Sequence, residues 1–357
     1  MKLEKIAIFA DERSIHTRRW VEGLRMSGIH VDLITLIKNP QHDIGGISLG
    51  AGSKISYIAK IGKLRSIVKK LDPQIFHAHH ASSFGFLASY VKHPAKILSV
   101  WGYDVITFPY RNFVNRAIIN RALNPETIIT ATSECLRNAV LKLKSDIRNI
   151  EVIPFGVDTD LFTYVDRNPS EKVVIGIAKS LTPKYGVDIL IRAFSELISK
   201  HDNICLKIAG RGDCEGEYRR LAGDLNVEDS LEFLGFVEHS KLPSLFAEFD
   251  IFVMPSVVED ESFGVAAVEA SATGLPVVAT DVGGVSEVVI DNETGCLVEK
   301  NNAGKLAAAI DKLILSPRLR LNLGKAGREY VLRKYDWKNN LLTMRNLYEK
   351  ILAERGK

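Results

Sequence analysis

The chain lacks the features that mark several large protein classes. Its four cysteines, Cys135, Cys205, Cys214 and Cys296, are scattered, with no Cys-x-x-Cys pair and no histidine at zinc-site spacing. That pattern excludes a disulfide scaffold and a structural zinc, and the four are expected to be reduced, mostly buried thiols. No apolar run approaches the roughly 20 residues needed to cross a bilayer, so no transmembrane helix is expected. The start, Met1-Lys2-Leu3-Glu4-Lys5, passes straight into Ile6-Ala7-Ile8-Phe9 without the apolar stretch and cleavage site of a secretory signal. A cytoplasmic protein is the expectation. Low-complexity stretches are missing as well, and 46% hydrophobic with 25% charged residues suits a folded rather than a disordered chain.

At 357 residues the chain exceeds what most single cores support, which implies two domains with a cleft between them. Short apolar runs alternate with helical patterns: Ile6 to Phe9, Val31 to Leu36, Ile75 to His79, Ile97 to Val100, Ile128 to Ala131 and Glu151 to Ile153. A second cycle runs through Val173 to Ala178, Ile204 to Ala209, Leu231 to Leu234, Ile251 to Met254 and Pro276 to Ala279. This alternation predicts parallel sheets with crossover helices, hence an α/β chain of two Rossmann-like, doubly wound domains. The expected division is 1–165, 166–336 and a C-terminal helix in 337–357, with the boundary near Asp166-Arg167-Asn168-Pro169-Ser170. The last helix, with Leu341, Leu342, Met344, Leu347, Tyr348 and Leu352 at helical spacing, could pack on either domain, the N-terminal one included.

Residues 1–165 hold 22 Lys and Arg against 14 Asp and Glu, so the basic half is the first. Anionic lipid, nucleic acid and a phosphate-bearing acceptor are all compatible with that charge. Ile55, Ile58, Ile61, Leu64, Ile67, Val68 and Leu71 recur at helical spacing, with Lys54, Lys60, Lys63, Lys69 and Lys70 mostly elsewhere on the wheel. Such a helix either turns its apolar stripe to its own sheet or lays it on an anionic membrane.

The most informative stretch is Glu261-Ser262-Phe263-Gly264-Val265-Ala266-Ala267-Val268-Glu269, followed by Gly274-Leu275-Pro276-Val277 and Gly283-Gly284-x-x-Glu287. If Gly264 opens a helix, the free amides and positive end of that helix form an anion site, and a residue without a side chain lets a diphosphate come close. Glu269, about a turn and a half in, could accept two hydrogen bonds from a vicinal diol such as a ribose.

This Glu-x7-Glu element, with the Gly-x-Pro-Val strand and the Gly-Gly-x-x-Glu loop, resembles glycosyltransferase family 4, retaining enzymes of the GT-B fold. The resemblance implies that Glu269 holds the donor ribose, that Glu261 contacts the transferred sugar, and that the amides of Phe263, Gly264 and Val265 bind the diphosphate. Family members carry an Arg and a Lys five residues apart after the first strand of the second domain. Here the loop reads Ala178-Lys179-Ser180-Leu181-Thr182-Pro183-Lys184-Tyr185-Gly186. With Tyr185 as a one-residue insertion, Lys179 and Lys184 take the cationic positions, and a leaving diphosphate needs that compensation. Gly235-Phe236-Val237 corresponds to the nucleobase loop, and Arg211 lies in a Gly-x-Gly turn after a strand.

In the first half, Asp72-Pro73-Gln74-Ile75-Phe76-His77-Ala78-His79 resembles the family's Asp-Pro-Asp-x-x-His-x-His segment. His77 and His79 are open to three readings: an acceptor pocket, hydrogen-bonded structural histidines, or a metal site with His80. Trp101-Gly102-Tyr103-Asp104 resembles the family's His-Gly-x-Asp, with Trp101 where many members have histidine. His16, Arg18 and Arg19 stand in the first loop, either as phosphate contacts or as charges at a helix start. Asp158-Thr159-Asp160 has the Asp-x-Asp form of metal-dependent transferases of another fold, yet its surroundings fit a turn, and no metal or other cofactor is required.

The expected activity is transfer of a hexose-type sugar from a nucleoside-diphosphate sugar, UDP- or GDP-linked, to a glycan or lipid-linked acceptor, with nucleic acid not among the partners. A cytoplasmic location, with or without peripheral attachment to the membrane, accompanies that expectation. A nucleotide-sugar epimerase of the same fold and a two-lobed small-molecule binding protein are the alternatives.

Overall fold

Among the described residues, thirteen short strands build two cores. The computed structural model describes residues 2–40, 43–50, 56–167 and 172–355. Its contacts divide the chain into a first unit, Met1–Phe155 with Lys338–Lys357, and a second, Gly156–Trp337. Asn168, Pro169 and Ser170 of the anticipated linker, and Lys54 and Ile55 of the amphipathic run, lie outside the described residues.

The first unit carries β1 (Lys5–Phe9), β2 (His30–Thr35), β3 (Ile47–Ser48), β4 (Ile75–His79), β5 (Lys96–Val100), β6 (Ile128–Ala131) and β7 (Ile150–Val152). They form one parallel sheet in the order β3-β2-β1-β4-β5-β6-β7, with Ile6 opposite both Val31 and Ile75. Both faces of such a sheet are covered by crossover helices, which is why its strands read as near-continuous apolar runs. Phe9 and Phe76 are fully buried in the core beneath it, each contributing about 1.5–3 kcal/mol by burial. Several helices start on designed caps. Ser14, Asn112 and Ser133 accept hydrogen bonds from the amides of Thr17, Asn115 and Leu136, each worth about 1 kcal/mol.

The amphipathic run forms the helix Ser56–Leu71. Leu64 and Val68 are buried, and Ile61, Ile67 and Leu71 pack on the same core. Its apolar stripe therefore faces its own sheet, and the alternative that lays this stripe on a membrane is corrected by that packing. The C-terminal helix, Trp337–Arg355, brings Met344, Leu347, Tyr348, Ile351 and Leu352 into burial.

The second unit carries β8 (Val173–Ala178), β9 (Ile204–Ala209), β10 (Leu231–Gly235), β11 (Ile251–Met254), β12 (Val277–Thr280) and β13 (Gly295–Val298), parallel in the order β10-β9-β8-β11-β12-β13. Arg328 ties the opening residues of this unit to its helices, donating to the carbonyls of Phe162 at 2.6 Å and Ala272 at 2.7 Å. Asp158 accepts from the amides of Asp160 and Leu161 at 3.1 and 3.2 Å, so the Asp-x-Asp element closes a turn. Cys296 is buried, whereas Cys135, Cys205 and Cys214 are half-buried free thiols. The expectation of mostly buried thiols is corrected: Cys135 on a helix, Cys205 on a strand and Cys214 in the turn that caps the helix Glu215–Asp224 are covered only in part by their neighbours.

Candidate active site

Sheet order in the second unit reverses between β8 and β11, and the carboxyl ends of such a strand pair are where doubly wound sheets take ligands. Lys179 directly follows β8. Its Nζ lies 3.2 and 3.0 Å from the two carboxylate oxygens of Glu261, and Ser256, just beyond β11, donates to Glu261 Oε2 at 3.3 Å. The side chains of Lys179 and Glu261 are only 13% and 11% exposed. An ion pair so screened from water is strong enough to hold both groups in place.

Tyr185 lies between the two lysines of the loop. Its ring centroid lies 4.7 Å from both Lys179 Nζ and Lys184 Nζ, so it is an aromatic surface shared by two ammonium groups. Burial works against the charge on Lys184, but Tyr185, Asp260 and Glu261 outweigh it and hold its pKa above the ordinary lysine value. The loop is seated by Gly186, whose φ of +62° suits glycine and whose Cβ, if it had one, would overlap the Pro255 carbonyl.

Gly264 stands at φ +79° and opens the helix Val265–Ala272 with no side-chain cap. The first helical amides therefore point out of the helix end, toward the loop that carries Glu261. The backbone at 259–262 is backed by Gly283 and Gly284: a Cβ on Gly283 would strike the carbonyls of Glu259 and Glu261, and one on Gly284 the carbonyl of Ser262. This close approach is the physical content of the Gly-Gly element. The ring of Phe263 itself is buried, edge-on to Tyr335 at 5.3 Å, which leaves its backbone rather than its side chain for a ligand.

Glu269 is only 5% exposed, and His239 Nε2 lies 2.8 Å from its Oε1. His239 was not among the expected site residues. It opens the turn His239–Lys241 shortly after β10 and rests edge-on against buried Phe162. The signal in the sequence was its place two residues after the Gly235-Phe236-Val237 loop, but only the fold brings it to Glu269. In that loop Gly235 accepts from the Gly210 amide at 2.7 Å, Phe236 is exposed, Val237 is half-buried, and the Arg211 guanidinium lies beside Gly235.

The corresponding reversal in the first unit lies between β1 and β4. There the side chains form a run of rings: His77 against His79 at 4.5 Å, His79 against Trp101 at 5.0 Å, Trp101 against Phe155 at 5.3 Å, and Phe155 stacked on His16 at 4.0 Å. His77 is held at both nitrogens, by the Tyr348 hydroxyl at 2.7 Å and Ser99 Oγ at 2.8 Å. Burial drives its pKa well down, with His79 adding to the effect; burial alone takes His79 to about 3. Both imidazoles are therefore neutral. His79 Nδ1 is buried without a hydrogen-bond partner, an arrangement that calls for a polar group to meet it.

Asp104 is fully buried and spends its carboxylate on backbone amides, those of Ala81 at 2.7 Å, Trp101 at 3.1 Å and Gly102 at 2.9 Å. It fixes the turn that presents Trp101. Arg18 and Arg19 are half-buried on the helix Ile15–Met26. Among the described residues no three His, Cys, Asp or Glu side chains are grouped to share a metal ion. A cavity of about 760 Å³ lined by Arg65, Lys69, Lys92 and His93 lies at the amino ends of β4 and β5, the opposite end of the sheet from these rings.

Two family models match the chain: glycosyl transferase 4-like over residues 5–133 and glycosyl transferases group 1 over residues 163–330. A GDP-mannose-dependent alpha-(1-6)-phosphatidylinositol monomannoside mannosyltransferase of Mycolicibacterium smegmatis is 30% identical over 63% of this chain and 63% of its own length. The chain thus spans a little under two thirds of that curated relative. A glycosyltransferase of Rickettsia africae superposes with a TM-score of 0.84 at 22% identity, covering 98% of this chain and 99% of the other. Anabaena HepE in complex with UDP does so with a TM-score of 0.83 at 17% identity, over 97% and 100%. These structures share the two-domain α/β fold known as GT-B, and with family models matching in both units the chain belongs to the group 1 glycosyltransferases, of the family 4 type.

Proposed function

We propose that this chain is a retaining glycosyltransferase that moves a hexose-type sugar from a UDP- or GDP-linked donor to a hydroxyl of a glycan or lipid-linked acceptor, in the synthesis of cell-surface polysaccharide or glycolipid. The observation that carries the proposal is the convergence, at the carboxyl ends of β8 and β11, of Lys179, Lys184 and Glu261, with the helix that begins at Gly264 and bears Glu269 in the same unit.

Each group has a role in that reaction. Glu269, steadied by His239, accepts the two ribose hydroxyls of the donor. The amides at Phe263, Gly264 and Val265 hold the diphosphate, and Phe236, Val237 and Arg211 border the nucleobase. Lys179 and Lys184 neutralise the charge that gathers on the diphosphate as the glycosidic C–O bond breaks. Lys179 is paired with Glu261 in the free protein, so an arriving diphosphate exchanges for one partner of that pair and leaves Glu261 to meet the sugar. The acceptor hydroxyl attacks from the face the diphosphate leaves, and its proton passes to the departing phosphate oxygen. No dedicated base is then needed. The acceptor is taken by the first unit, where His16, His77, His79 and Trp101 offer rings suited to a sugar, those of His77 and His79 neutral, beside a turn held by Asp104.

The relatives support this reading: the mycobacterial enzyme is named for GDP-mannose and a phosphatidylinositol mannoside, and HepE was solved with UDP. The test is a thermal-shift panel of UDP, GDP and ADP on the wild type and on Glu269→Ala. A ligand at about 100 times its Kd stabilises by about 2.7 kcal/mol, and the variant is expected to lose most of that shift. A panel in which no nucleotide stabilises the wild type, or in which the variant responds equally, rejects the assignment.

A further inference from the structure

The helix Ser56–Leu71 hides its apolar stripe, but a different part of the first unit does not. After β5 the chain forms the short helix Tyr103–Ile106, the tight turn Phe108–Tyr110 and the helix Phe113–Ala122. Tyr110 is 55% exposed, Phe113 84% and Val114 50%. Single exposed apolar side chains are ordinary; three neighbours on one tip are not. Exposure here is built in rather than a result of fraying. Asn112 caps the helix by accepting from the Asn115 amide at 2.9 Å, Asn115 Nδ2 donates to the Phe108 carbonyl at 3.1 Å, and Pro109 is buried beneath the turn. Phe113 is thus fixed at the first position of a capped helix, pointing to solvent, with Val114 beside it and exposed Ala117 one turn on.

The charge around this tip has one sign. Between Asp104 and Glu126 there is no acidic residue, while Arg111, Arg116 and Arg121 are present. The guanidinium of Arg111 lies 5.3 Å from the Tyr103 ring centroid and that of Arg116 5.5 Å from that of Tyr110. Stacking of this kind orients a guanidinium; Arg116 Nη2 also donates to the Leu143 carbonyl at 3.4 Å, which leaves its remaining N–H groups and those of Arg111 for phosphate oxygens.

We propose that the tip formed by Tyr110, Phe113 and Val114, with Arg111 and Arg116, is a membrane-contact surface that settles onto bilayers rich in anionic lipid. Phe113 and Val114 enter the interfacial layer, Tyr110 rests at headgroup depth, and the arginines meet lipid phosphates. Charge complementarity selects this occupant: an apolar tip within an all-basic stretch matches a surface that is apolar below and anionic above. The inference rests on the lipid-linked branch of the proposed function and deepens it. Tyr103, on which Arg111 stacks, is two residues from Trp101, so the tip and the ring cluster share one connection, and an acceptor anchored in the bilayer would present its hydroxyl beside them.

The test is flotation of the full chain with vesicles of phosphatidylcholine alone and of phosphatidylcholine with about a third phosphatidylglycerol, at low and at high salt. The wild type is expected to float with the anionic vesicles and to release with salt. Phe113→Ser with Val114→Ser should cut the partition about tenfold or more, and Arg111→Gln with Arg116→Gln should remove most of the preference for the anionic vesicles. Lys63→Gln with Lys69→Gln, on the helix Ser56–Leu71, should float like the wild type. Arg116 is half-buried and the other positions are exposed, and unchanged circular dichroism and melting temperature certify the fold. A wild type that stays at the bottom, or a Phe113/Val114 variant that floats undiminished, overturns the proposal. So does loss of a dimer in that variant with no flotation of the wild type, which would make the tip a contact between copies. Nucleotide thermal shifts on the same samples separate the two claims: flotation without nucleotide binding supports the surface and rejects the transferase reading, and nucleotide binding without flotation does the reverse.

Discussion

His79 offers a sharp test of the first unit. Its ring is buried, burial lowers its pKa to about 3, and its Nδ1 meets no partner. In the unfolded chain a histidine titrates near about 6.5. Above that value both states hold a neutral ring and pH does not alter stability through this group. As pH falls below it, the unfolded chain takes up a proton that the folded chain refuses, so stability drains away until the folded pKa is reached. At 1.36 kcal/mol per pH unit, His79 alone withdraws about 2 kcal/mol by about pH 5, and His77 acts in the same direction. Replacing His79 by Phe keeps a ring against Trp101 and His77 while removing the titration. The gap in unfolding free energy between wild type and His79→Phe should therefore shift by about 2 kcal/mol in favour of the variant between about pH 7 and pH 5. Carbon-13 labelling of the histidine ring gives the direct measurement, with the His79 resonance expected at its neutral position throughout that range. A titration of His79 with a midpoint above about 5 would refute the argument, because it would show the ring to be wet or paired with an anion. It would also undo the case for neutral rings at the acceptor.

Two further outcomes follow from the second unit. Lys179→Met leaves Glu261 without its counter-ion and the diphosphate without a cation, so steady-state assays should show kcat reduced by about 10²–10³-fold; a variant within a few-fold of wild type would remove Lys179 from the reaction. Gly186→Ala puts a methyl group against the Pro255 carbonyl at a positive φ, which should cost more than about 1 kcal/mol and, by unseating Lys184, should also shrink the nucleotide-induced thermal shift; a neutral substitution would show that the loop is not held as described.

Much of this was legible in the sequence, for identifiable reasons. Strands such as Val173–Ala178 and Ile251–Met254 are runs that a doubly covered parallel sheet makes almost wholly apolar, and they emerge where the patterning places them. Two of the four strands at the sheet margins do not. Ile47–Ser48 has two residues and Gly295–Val298 begins on glycine, so neither offers enough residues for a period of two to register. The donor-side motif was visible because it is continuous in the chain. Groups that act across the fold were not. His239 reaches Glu269 only when β10 and the helix Val265–Ala272 are in place, and its place just after the Gly235-Phe236-Val237 loop does not by itself point to that carboxylate. Glu12 is fully buried and receives the amides of Asn39, Ile44 and Gly46 at 3.0, 3.2 and 3.2 Å, yet in the sequence it is one more acidic residue near a turn. Asp104 stood in a motif, but the sequence could not tell a carboxylate that would meet a ligand from one already given to three amides.

The C-terminal helix has a consequence for how the molecule is made. Tyr348 is buried and bonded to His77 across the greatest sequence separation of any side-chain pair described, |i−j| = 271. While the protein is being synthesised, the ribosome must finish the whole second unit before it can supply this tyrosine. Until then the first sheet carries an imidazole with only one of its two partners, Ser99, and an uncovered apolar face. The second unit, whose residues 156–337 are contiguous, can close first although it is made later. Domain order in the nascent chain and order of completion are thus reversed, and the first unit, though earliest to emerge, reaches its final form only once the C-terminal helix has been made.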